Sequence, residues 1–134
     1  MTKPILVIPC SGIGKPFGSI SRDATFLVCD ELRPGKVDTL CLSLLVMGDA
    51  EARSRVASSK CITVDGCPLE CSKNNVERSG GKVAAQCRVM DLLRENRGLK
   101  PRTVTFLDED GEKLSKQLAE RIAAKVDELM EEAE

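Results

Sequence analysis

The chain has 134 residues, a net charge of −1, seven cysteines, three phenylalanines as its only aromatic residues and no histidine. That length suits one domain with a real hydrophobic core, and the scattered lysines and arginines exclude the basic stripe that nucleic acid or an anionic membrane would require. Without histidine, the usual general base and the commonest nitrogen ligand are both missing, so a metal site here is built from thiolates with at most a carboxylate.

In chain order, Pro4-Ile5-Leu6-Val7-Ile8-Pro9 is an apolar, β-branched run that reads as a buried strand delivering Cys10 to a turn. The turn, Cys10 to Pro16, is punctuated by Gly12 and Gly14. Ser19 to Leu32 then forms a helix with Ala24, Phe26, Leu27 and Leu32 facing inward. After the loop Arg33-Pro34-Gly35-Lys36, the apolar stretch Val37 to Met47 contains Cys41, and periodicity leaves it open between strand and helix. Asp49 to Ser59 reads as a polar helix, and Cys61-Ile62-Thr63-Val64 as the strand that delivers Asp65-Gly66-Cys67. Cys71 to Arg78 reads as helix, ended by Gly80-Gly81. Lys82 to Leu92 alternates nearly enough for a strand, and Val104 to Leu107 is a short late strand. From Glu112 onward, Leu114, Leu118, Ile122, Val126, Leu129 and Ala133 recur at helical steps among charged residues, which predicts one amphipathic helix.

Strands alternating with helices, without repeat or linker, predict a single domain over residues 1–134. It is a three-layer, Rossmann-like α/β sandwich with a mostly parallel sheet and a long C-terminal helix. The pattern leaves open whether that helix packs on its own sheet or on a protein partner or second copy of the chain. Ligand sites in such sheets form at the carboxyl ends of strands, and Cys10 and Cys67 both stand just past such ends. No charged-plus-apolar leader opens the chain, and no apolar run approaches the roughly 18 residues of a membrane span. The expectation is a cytoplasmic protein, and in a reducing compartment cysteines bind metal or do redox work more often than they form disulfides.

The densest chemistry lies in Thr63 to Cys71. There the pattern predicts a strand, a turn and a helix opening at Pro68, with Cys67 and Cys71 one helical turn apart near the positive end that favours thiolate. With Cys10 and Cys41 they make a four-thiol constellation that zinc or an iron–sulfur cluster accepts. Only one of its pairs is close in sequence, unlike the two close pairs of a zinc ribbon.

Three segments, Pro9-Cys10-Ser11-Gly12-Ile13-Gly14-Lys15, Leu40-Cys41-Leu42 and Val64-Asp65-Gly66-Cys67-Pro68-Leu69-Glu70-Cys71, resemble the DGC domain family of cysteine-rich bacterial and archaeal proteins. The resemblance covers about residues 4 to 92, and the Asp-Gly-Cys-Pro stretch ending at Cys71 is its most specific part. It implies a zinc site whose four recurrent cysteines fall on Cys10, Cys41, Cys67 and Cys71, and it implies no particular reaction.

The remaining candidates surround this set. Cys87 is a candidate fifth thiol, whereas Cys29 and Cys61 read as small buried hydrophobes. Asp65 reads as a helix cap or turn support, with an outer-shell acceptor as its rival role. Lys15 reads as a cation near the thiolates, against a solvated loop lysine. A phosphate-loop reading of Lys15 fails because Pro9 and Pro16 occupy positions that need glycine and Ser or Thr. A radical S-adenosylmethionine motif fails because Ser72-Lys73-Asn74 follows Cys71 where a third cysteine is needed. Two classes of function survive: a zinc-holding module, and an enzyme or carrier of sulfur or electrons working through an iron–sulfur cluster or a persulfide.

Overall fold

The computed structural model describes residues 4–10, 16–66, 69–102 and 107–133, with the side chains of residues 132 and 133 excepted. Four strands, β1 (Ile5–Cys10), β2 (Val37–Thr39), β3 (Cys61–Asp65) and β4 (Val83–Arg88), form an all-parallel sheet in the order β2-β1-β3-β4. Helices cover both faces. On one side lie α1 (Pro16–Leu27), α5 (Val89–Glu95) and α6 (Glu109–Ala133), packed on Ile5, Val7, Ile62, Val64 and Cys87. On the other lie α2 (Leu42–Met47), α3 (Ala50–Ser58) and α4 (Cys71–Arg78), packed on Leu6, Ile8 and Cys61.

This two-sided arrangement follows from alternation. β1 is apolar at every position from Ile5 to Ile8, so successive side chains bury into opposite cores, as a strand covered on both faces requires. The chain leaves β1 for β2 on one side and then passes β1 to reach β3 on the other. Right-handed crossovers therefore put α1 on one face and α2 and α3 on the opposite one, and this reversal makes the carboxyl end of β1 a topological switch point.

Pro9 shapes that end. The N–H of Ile5 donates to the Lys36 carbonyl on the β2 side, and that of Leu6 to the Lys60 carbonyl on the β3 side. Alternation points the Pro9 nitrogen toward β2, two residues past the last β1–β2 pair, Val7 with Thr39. Having no N–H to donate, Pro9 leaves nothing to extend that ladder, and the two strands part above Leu40 and Cys41.

Several elements differ from their sequence patterns for physical reasons. α1 opens at Pro16, where a missing N–H is harmless, and its inward stripe, Ile20 and Ala24, continues into Val28 of the π-helical turn Val28–Leu32; Phe26 is 49% exposed and Leu32, in that turn, is 37% exposed. The open stretch Val37 to Met47 divides into β2 and α2. The expected strand over 82–92 stops at Arg88, after which Val89 and Leu92, three residues apart, bury into the core as one face of α5. Of the late strand expected over 104–107, residues 104–106 lie outside the described residues and Leu107 is not in a strand. The long helix α6 starts at Glu109, and Leu114, Leu118, Ile122, Val126 and Leu129 all bury against its own chain. Of the two packings the sequence left open, the apolar face of α6 takes its own sheet.

Candidate metal centre

The end of β3 and the start of α4 are held by two side chains. Asp65, fully buried at the last position of β3, accepts the backbone N–H of Ser72 at 2.8 Å, with longer contacts from the Lys73 N–H and Gln86 Nε2, both 3.4 Å. Its carboxylate thus caps α4 from a neighbouring strand, at the helix end that favours negative charge. Burial nevertheless pushes its pKa above the ordinary carboxylate range, with the hydrogen bonds from Ser72, Gln86 and Lys73 opposing that rise. Ser72 Oγ donates to the Ile8 carbonyl at 2.6 Å. Between them, Asp65 and Ser72 pin the first turn of α4 to β3 and β1, which sets Cys71 beside the end that carries Cys10.

Gly66 completes the arrangement. A Cβ there would stand 2.7 Å from the Phe17 carbonyl oxygen, so the close approach of the β3 end to the start of α1 admits only glycine. The Asp-Gly pair therefore does structural work: one residue caps a helix and the other permits two backbones to meet. Glu70 then takes a left-handed conformation at φ 54°, unusual for a residue with a side chain, and contacts Lys73 and Arg88 at 3.8 Å each. Helix α4 consequently begins at Cys71, after the non-helical Leu69 and Glu70. Cys71 heads the helix and Glu70 interrupts the expected helical spacing from Cys67; Cys67, Pro68 and Lys15 lie outside the described residues.

The other thiols divide clearly. Cys10, Cys41 and Cys71 line one cleft of about 580 Å³, together with Pro9, Arg22, Phe26 and the stretch Thr39 to Ser43. Cys10 is buried at its floor, Cys71 is half-buried and Cys41 is exposed. Cys41 precedes the first residue of α2, and its Sγ lies 2.8 Å from Ser43 Oγ; hydrogen bonding to the Ser43 side chain, then to the Ser43 and Leu44 backbone, lowers its pKa against a small opposing effect of burial. Among the described residues, no three Cys, Asp or Glu side chains already stand in a metal-holding group. The three thiols share a cleft without being drawn onto a common point.

Cys87 is not part of this cleft. Its position pairs with Val64, on the α1–α6 side of the sheet, where it is buried in the core and burial pushes its thiol up to about 11. Cys61 is buried on the α3 side, and Cys29 is half-buried in the π-helical turn; burial raises both to about 11. Burial dominates at all three and favours the protonated thiol, with the Asp30 and Asp38 carboxylates adding to it at Cys29 and Lys125 and Arg121 opposing it at Cys87. Spacing gave no sign of Arg22, Phe26 and Val46 as walls of the cleft, because they come from other turns of the chain. Ser43, two residues after Cys41, was the only local signal.

A larger hollow of about 780 Å³, lined by Lys60, Lys82, Gln86, Lys125 and Glu128, runs beside β4. It contains no cysteine and lies toward the amino ends of β3 and β4, away from the end where sheets of this topology place their sites.

An all-parallel, doubly covered sheet with three cysteines in a cleft at the carboxyl ends of its strands defines the chain as a cysteine-rich α/β protein. The model of the DGC domain matches residues 6–125, and the chain belongs to the DGC domain family. The match extends past the segment that carries the sequence resemblance and takes in most of α6. No curated protein and no solved structure matches the chain.

Proposed function

We propose that the chain, acting as a single domain over residues 1–134, holds one zinc ion through the thiolates of Cys10, Cys41, Cys67 and Cys71. The observation that carries this reading is that three of these cysteines, from the end of β1, the β2–α2 junction and the start of α4, line one cleft. Thiolates are the ligands that zinc accepts in fours, and four of them saturate it, leaving no position for a catalytic water. Asp65 and Ser72 act one step back, fixing the segment that carries Cys71. The absence of histidine further separates this site from hydrolytic zinc centres. A reducing, cytoplasmic setting suits so many thiols, and neither nucleic acid nor a membrane figures as a partner. Among the described residues, no helix is long and apolar enough to cross a membrane.

One observation favours a second reading. Cys41 is solvent-exposed with a thiol shifted toward thiolate, which suits a cluster with an open position or a persulfide carrier of sulfur. Elemental analysis and an ultraviolet-visible spectrum of anaerobically purified protein separate the two. The zinc module gives near-stoichiometric, colourless zinc that Cys71→Ser loses. Iron with sulfide and visible absorption selects the cluster. A wild-type protein without metal, or a Cys71→Ser variant with undiminished metal, overturns the shared site.

A further inference from the structure

The cleft is far larger than a metal ion needs, and its walls are of two kinds. Pro9, Phe26, Leu40, Leu42 and Val46 line it with apolar surface, and Phe26 and Val46 remain 49% and 65% exposed. Its volume lies within the few hundred to about 1,000 Å³ typical of small-molecule sites, at the strand ends where such sites form. Among the described residues lining it, Arg22 is the one charged side chain, and no carboxylate faces it. The Arg22 side chain makes no ion pair or hydrogen bond among the described residues. The neighbouring Asp23 is turned away, accepting a hydrogen bond from Ser115 Oγ on α6. A guanidinium that no described carboxylate pairs, beside an apolar hollow, is a seat for the head of an amphiphilic anion, because its planar fork matches carboxylate and phosphate oxygens.

We propose that the thiol cleft takes a small organic anion, its apolar body laid against Phe26, Leu42 and Val46 and its carboxylate or other oxoanion on Arg22. The body of such a ligand comes to rest over Cys10 and Cys71, so the cleft presents an organic molecule to the thiol centre instead of only enclosing an ion. The proposal rests on the metal reading for the role of the thiols, but not for the anion's seat.

The test titrates benzoate, and benzyl alcohol as its uncharged counterpart, into the purified full chain and into Arg22→Gln. Binding is followed through backbone amide NMR shifts, and metal content is measured on both proteins. Benzoate is expected to saturate with shifts at Phe26, Leu40 and Val46, and to bind at least about tenfold tighter than benzyl alcohol. Arg22→Gln is expected to remove that advantage while leaving benzyl alcohol binding and metal content unchanged. Equal affinity for the two probes, an unchanged benzoate affinity in Arg22→Gln, or shifts confined to the hollow of Lys60, Lys82 and Lys125 overturns the proposal. Should the wild type carry no metal while the Arg22 dependence holds, the metal reading falls and the anion site stands.

Discussion

At the scale of single residues, the six described cysteines differ mainly in what surrounds the sulfur. Cys61 and Cys87 sit in the two cores, where burial pushes both thiols up to about 11; at Cys87 it outweighs the opposing pull of Lys125 and Arg121. Cys41 is exposed and hydrogen-bonded by Ser43, and is shifted the other way. Alkylation requires both access and thiolate, so these factors act together. After metal is stripped by a chelator, iodoacetamide near neutral pH is expected to label Cys41 first, with Cys61 and Cys87 labelled only after denaturant is added. Peptide mapping by mass spectrometry reads the order. Early labelling of Cys87 would show that its core opens readily and would return it to the list of reactive thiols.

At the scale of elements, the junction of β3 and α4 connects fold to site. Ser72→Ala removes the hydroxyl that ties α4 to the Ile8 carbonyl, leaving a buried acceptor short of one partner. The expected loss is about 1 kcal/mol of stability in chemical denaturation. Because the same bond sets Cys71 against the end of β1, metal release to a competing chelator should also quicken. A Val56→Ala change in the opposite part of that core, on α3, destabilises at least as much and should leave release unchanged. This junction also shows what the sequence could and could not disclose. Asp65 was legible as a cap because the pattern of strand, Asp-Gly and helix is local. The start of α4 at Cys71 was not legible, because it is set by the left-handed conformation of Glu70, which no local propensity announces. Similarly, β4 gives way to α5 at Val89, where the alternating pattern of small apolar residues is compatible with either structure and packing against α6 decides.

At the scale of the whole molecule, the architecture was readable because it rests on buried runs and on one long periodic helix, both of which survive as patterns in a single sequence. The cleft was only partly readable: its thiols announced themselves, but the walls that Arg22, Phe26 and Val46 supply depend on how α1 and α2 lie across the sheet edge. The same division governs what metal loss should do. Small domains that unfold without zinc lack a core of their own, whereas this sheet buries one core against α1, α5 and α6 and another against α2, α3 and α4. Both lie along the body of the strands, while the cysteine cleft occupies their carboxyl edge. Metal removal should therefore lower the melting temperature without abolishing cooperative unfolding, and the loosening should be local. Hydrogen exchange after chelation is expected to rise at Leu42 to Met47 and in the first turn of α4, while β1, β3 and the buried face of α6 keep their protection. Exchange that rises uniformly across Ile62, Leu118 and Ile122 would mean that the thiol centre holds the sheet together, and that the two cores do not suffice without it.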